Sequence, residues 1–208
     1  MNDLATRVLL AALCGALLVT GSTSAAKWEP TGDPVTRELP RRFLGTIAVM
    51  SSAGWQTTRV EVVVERWTTP EERERMLTML KDKGDFGLAE VMREFDIGFA
   101  RLGNETPWRL RSAAIWAVDG GYKVRVATER PIDFIETWVG TRSQDYPIGV
   151  LELFIPDEGE GEGGILAASQ VKYNDDGRLE VKALPNSTGP HKITRVREAK
   201  PKTPKKKS

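Results

Sequence analysis

Arg59-Val60-Glu61-Val62-Val63-Val64-Glu65-Arg66-Trp67-Thr68-Thr69-Pro70-Glu71-Glu72 decides the fold, because it holds a strand and the start of a helix within fourteen residues. Val60, Val62 and Val64 fall on one face, with Glu61 and Glu65 on the other. That is the half-buried alternation of an antiparallel sheet. Thr69-Pro70-Glu71-Glu72 then supplies an N-cap, a proline at the first helical position and a glutamate three residues past the cap. Thr69 and Glu72 can therefore satisfy each other's free amides. Met76, Leu77 and Leu80 give the helix an apolar stripe, and Gly84 offers a left-handed C-terminal cap. From Asp85 to Phe95, Leu88, Val91, Met92 and Phe95 recur at helical spacing. The expectation is a helical hairpin or kinked helix over 69–95.

The flanking sequence reads as strands. Phe43 to Met50, with turn residues Ser51 to Gly54, predicts a hairpin with the valine-rich run. A second hairpin is expected over Trp108 to Thr128, turning at Asp119-Gly120-Gly121, with Trp108, Leu110, Ala114 and Trp116 on one face. Further strands are expected at Ile148 to Ile155, Gly164 to Tyr173 and Arg178 to Leu184. No period of 20 to 50 residues repeats. The fold class expected is α+β: a mainly antiparallel β-sheet, barrel- or sandwich-like, with one helical hairpin insertion.

The two ends read differently. Arg7, the apolar run Val8 to Val19 and the small residues ending Ser24-Ala25-Ala26 have the layout of a signal peptide, 1–26, cleaved before Lys27. The run is shorter than the roughly 20 apolar residues of a membrane span. Cys14 lacks the preceding pattern of a lipidated cysteine. Cleavage would leave 182 of the 208 residues, a length that suits a single domain. Pro30, Pro34 and Pro40 mark 27–42 as an extended lead-in, and a single β-rich domain is expected over 43–196. The end, 197–208, reads as a disordered basic tail. From Arg195 onward there are seven Lys or Arg residues against Glu198 alone, while the rest of the mature chain carries 22 basic and 27 acidic residues. Such a tail is a solubilising end or a weak contact with an anionic surface.

Three segments of this chain, Glu65-Arg66-Trp67-Thr68-Thr69-Pro70-Glu71-Glu72-Arg73, Thr128-Glu129-Arg130-Pro131-Ile132 and Asp145-Tyr146-Pro147, carry a resemblance. Over 43–196 the sequence resembles a group of exported bacterial proteins of unknown function. The resemblance implies a periplasmic or secreted setting and brings no activity with it.

The residue inventory excludes several chemistries. Cys14 is the sole cysteine and leaves with the signal peptide, so disulfides, thiolate nucleophiles and Cys-ligated zinc are not expected in the mature chain. His191 is the sole histidine and sits beside Pro190 in an expected turn. Ser143 and Ser169 lie in no nucleophile elbow. No metal or cofactor is expected. Asp and Glu remain as acid and base groups. Glu152 lies in Val150-Leu151-Glu152-Leu153-Phe154-Ile155, apolar on both parities, which predicts a buried carboxylate paired with Arg109, Arg111, Arg125 or Arg130. The alternative role is a general base or a ligand-gripping acid. Asp133, Glu136 and Asp145 cluster near one expected loop, where acids grip a cation, serve a glycosidase or simply face solvent. Asp157-Glu158-Gly159-Glu160-Gly161-Glu162-Gly163-Gly164 lacks a calcium-loop register and reads as a mobile hairpin tip. Among six tryptophans, Trp67 and Trp138 stand next to expected loops and are the candidates for a pocket mouth.

Two functions follow from this inventory. The favoured one is a binding or interaction module of the cell envelope, taking a small apolar or glycan ligand or meeting another envelope protein. The alternative is a cysteine-free hydrolase with Glu152 or Asp145 as base.

Overall fold

The computed structural model describes residues 38–51, 54–132, 146–173, 179–183 and 191–199. Among these residues, ten strands and one helix follow in the order β1 (Arg41–Ser51), β2 (Gly54–Val64), α1 (Pro70–Met92), β3 (Gly98–Leu102), β4 (Trp108–Leu110), β5 (Ser112–Val118), β6 (Gly121–Thr128), β7 (Ile148–Pro156), β8 (Gly161–Tyr173), β9 (Leu179–Ala183) and β10 (His191–Ala199). All pair antiparallel in the order β4-β3-β2-β1-β10-β8-β7-β6-β5, with β9 added to β8. The α+β class is thus correct, and the sheet is a nearly closed barrel.

The closure depends on one residue. An even number of antiparallel steps separates β4 from β5, so they run the same way, with Arg111 alone between them. They form one bent strand that pairs first with β3 and then with β6. At the bend the Ile97 amide donates to the Leu110 carbonyl at 3.0 Å and the Arg111 amide to the Ala127 carbonyl at 2.8 Å. Arg111 also shifts the alternation by one residue. Trp108 and Leu110 face the core, but the inward residues of β5 are Ala113 and Ile115. Ala114 and Trp116 are therefore on the outer face, contrary to the expected shared parity. A bulge-like extra residue always produces this reversal, because side chains alternate with period two.

The valine-rich strand forms as its alternation dictates: Val60, Val62 and Val64 are buried, joined inside the barrel by Phe43, Ile47, Val124, Leu153 and Ile193. Side chains fill the interior, as in other small barrels. A void of about 10 Å³, lined by residues that include Val60, Leu102, Trp108, Val126 and Leu151, has room for no more than about one water.

The helix starts where the capping box places it. The Glu72 amide donates to Thr69 Oγ1 at 3.2 Å, and the Thr69 amide donates to Glu72 Oε2 at 3.0 Å. Gly84, at φ 69°, does not end the helix; α1 is one helix kinked there, in place of two separate ones. It leaves β2, returns to β3 and lies against β8, burying Met76, Leu80, Leu88, Val91 and Met92.

Both expected domain boundaries move outward. Arg41 and Arg42 belong to β1 rather than to the lead-in, and Arg197, Glu198 and Ala199 belong to β10 rather than to the tail. The acidic glycine run forms a hairpin turn, as expected, but only over 157–160, since β8 begins at Gly161. A Cβ on Gly161 or Gly163 would strike the Phe154 or Glu152 carbonyl oxygen of β7. The glycines permit close backbone approach. His191, expected in a turn, opens β10.

Candidate functional site

Because β1 and β10 pair as neighbours, the first and last described strands bring Arg41 and Glu198 together inside the barrel, 157 residues apart in sequence. Arg41 is 1% exposed. Its Nε donates to Glu198 Oε1 and its Nη2 to Glu198 Oε2, both at 2.7 Å, the bidentate geometry that favours arginine over lysine. Tyr122 of β6 completes the group, accepting from Arg41 Nη2 at 2.9 Å and donating to Glu198 Oε2 at 2.7 Å. The guanidinium carbon lies 4.9 Å from the Tyr122 ring centroid, 5.3 Å from that of Phe43 and 5.9 Å from that of Trp67. Among the described residues, Arg41 Nη1 is buried with no hydrogen-bond partner. The charge is compensated and caged, so the cluster can hold β1 and β10 together, whereas an acid or base needs a proton to exchange.

Trp67, a candidate for the pocket mouth, packs against the core as part of that cage. Asp133, Glu136, Trp138 and Asp145 lie outside the described residues. Glu152 stands on the outer face of β7, half-buried between inward-facing Leu151 and Leu153. Its apolar neighbours Val150 and Phe154 share that outer face, which is why the segment looks apolar on both parities. Of the four arginines considered as partners, Arg125 is the one that reaches it, through Nε at 2.8 Å and through Nη2; Lys123 Nζ adds a contact at 2.9 Å. Arg125 also stacks on Trp116, with 5.2 Å from guanidinium carbon to ring centroid. Arg111 instead binds Glu129, and Arg109 lies 3.4 Å from Asp96.

A third group was not foreseen. Glu61, 5% exposed, sits on the outer face of β2 between Arg42 of β1, which binds it directly, and Arg101 of β3, whose Nε lies 2.6 Å away. Burial pushes the carboxyls of Glu61, Glu129 and Glu152 up, but their arginine partners, with Lys123 at Glu152, outweigh it and hold all three below the ordinary carboxylate range. A base in that state is weak, because its ionised form is already stabilised.

The sign of the linkage gives a prediction. A depressed carboxylate contributes stability that is fully present above its unfolded pKa, near 4.5, and lost as pH falls through the folded value. His191, which burial holds below 6.5, acts the same way at higher pH, favouring the neutral folded state. Thermal melts should be flat from about pH 8 to 7, decline slightly below 6.5 and fall steeply below about pH 4. Glu61→Gln should flatten the acid limb. A melting temperature that rises on acidification would contradict these assignments.

Charge is segregated around the barrel. On the five neighbouring strands β4-β3-β2-β1-β10, the outer face carries Arg42, Arg59, Arg101, Arg109, Arg195 and Arg197, against Glu61 as the sole outward acid. Lys192 of β10 adds a cation, bound to Glu162 at 2.9 Å. The sequences of β5 to β9 hold four cations, Lys123, Arg125, Lys172 and Lys182, against three acids, Glu152, Glu162 and Glu180, and the turn before β8 adds Asp157, Glu158 and Glu160. Among the described residues, no group of three or more His, Cys, Asp or Glu could hold a metal ion, and no helix is long and apolar enough to cross a membrane. No family model, curated protein or solved structure matches the chain.

Proposed function

We propose that this chain is an exported protein of the bacterial cell envelope that works as a binding module, making contact through the outer surface of its barrel. The charge segregation carries this reading: one half of the barrel wall presents six arginines, with Glu61 between Arg42 and Arg101 and Asp96 beside Arg109 as their acid partners, and such a predominantly cationic face attracts and orients an oppositely charged partner. The packed interior favours an external contact over a ligand held in the barrel mouth. The pairing of Glu152 with Arg125 and Lys123 weighs against the hydrolase alternative, in which that carboxylate would accept a proton.

Co-sedimentation with isolated bacterial envelopes tests the reading. The protein should pellet at low salt and be released as the screening length shortens toward about 8 Å at physiological strength. Glu152→Gln should pellet as the wild type does. Protein that stays in the supernatant at low salt would overturn the proposal.

A further inference from the structure

We infer that the arginine face on β4-β3-β2-β1-β10 is a docking surface for an anionic phospholipid bilayer. The inference rests on the envelope-binding reading and names its partner. Three observations support it. First, the cations span five strands, about 20 Å at the usual strand spacing. They lie on the convex outside of a barrel, which presents a broad face rather than a groove. A plane of lipid phosphates meets a broad face; a single-stranded polymer is held in a groove with aromatic stacking. Second, half-buried Leu44, Val63 and Phe99 lie among the arginines on the same outer face. Leu39, just ahead of β1, is one of two large apolar side chains left exposed among the described residues. Apolar groups beside cations suit the boundary between headgroups and acyl chains. Third, Ala199 pairs with Arg42 on this face, and the sequence continues from it into Lys200, Lys202, Lys205, Lys206 and Lys207. The sequence that follows the last described residue of this face is thus of the same sign as the face.

Each cation near an anionic surface strengthens binding about fivefold, so two lost cations weaken it on the order of 30-fold, and reversing their charge weakens it further. The full chain is tested on vesicles of phosphatidylcholine with about 30 mol% phosphatidylglycerol, and on phosphatidylcholine alone. Two double variants are compared: Arg59→Glu with Arg197→Glu on the face, and Lys83→Glu with Lys172→Glu away from it, equal in net charge. The inference predicts salt-sensitive binding to the anionic vesicles only, a loss of at least about 30-fold for the face variant and retention of most binding by the other. Thermal melts confirm that both fold. Equal losses would show that net charge alone acts, and a face variant that binds as the wild type would show that the lysine-rich end suffices; either result overturns the inference. Wild type that pellets with envelopes but ignores anionic vesicles overturns the lipid assignment and leaves the binding module standing. Failure in both assays defeats both.

Discussion

Replacing Glu198 with alanine is expected to destabilise the protein by about 3 to 5 kcal/mol, because it leaves the Arg41 charge buried without its counter-ion. Arg41 is 1% exposed, so its head group has almost no contact with water. Both hydrogen bonds of the bidentate pair would be lost, together with the one that Tyr122 donates to the same carboxylate. For a domain of this size the melting temperature should fall on the order of 10 °C. Glu198→Gln, which keeps the shape and an acceptor oxygen, should fall between wild type and alanine. A surface residue of a disordered tail would show no change at all, so a melt within about 0.5 kcal/mol of wild type would return Glu198 to that role.

The second large effect is expected at Gly98. It opens β3 at φ 143°, a backbone region that side chains rarely adopt, and a Cβ there would collide with the Val63 carbonyl across the β2–β3 pair. Neither the strand nor its partner can yield without breaking ladder hydrogen bonds beside the helix return. Gly98→Ala should therefore cost about 3 kcal/mol or more, measured by denaturant unfolding. Gly120→Ala is the comparison: it also has positive φ, at 72°, but nothing lies within 4 Å of the added carbon, so its cost should be confined to backbone strain, about 1 kcal/mol. Equal costs at the two positions would show that the close approach at Gly98 is unimportant.

The parts of the fold that were legible in the sequence are those governed by local periodicity. Val60, Val62 and Val64 of β2 recur at every second position, and the capping box at Thr69 is a short-range device, so both were read correctly. The parts that were illegible are those where one residue breaks the period. Arg111 reverses the parity between β4 and β5, and nothing local distinguishes it from any other arginine in a strand. β10 fails to look like a strand for a similar reason. Its pairing with β1 shifts near Arg195, which has φ 55°, so the buried residues Ile193 and Val196 stand three apart instead of two. Arg195 and Arg197 then dominate the reading, and a strand with cations on its outer face looks like the start of a basic tail.

Arg41 was misplaced on composition, because Pro40 and two arginines resemble solvated chain. Its burial depends on Glu198, and no local signal connects residues so far apart. The candidate site shows the same division. Pairing of Glu152 with an arginine was legible, since a carboxylate among apolar residues needs a partner, and Arg125 fills that role. Its position on the outer face was not, because Val150 and Phe154 hide the alternation. The arginine face became visible only when the strand order placed β10 beside β1 and β4 at the end of the same run. In sequence those arginines are scattered from 42 to 197; in the barrel they share one wall.

A double-mutant cycle on Arg41→Met and Glu198→Leu, measured by denaturant unfolding, tests most directly whether β1 and β10 meet through these two side chains. If they form the pair described, the single variants should each be strongly destabilised, while the double variant, which buries no unpaired charge, recovers much of the loss, for a coupling of about 2 kcal/mol or more. Single effects that add to within about 0.5 kcal/mol would mean that the two residues do not touch, and the meeting of β1 and β10 through these side chains would have to be abandoned.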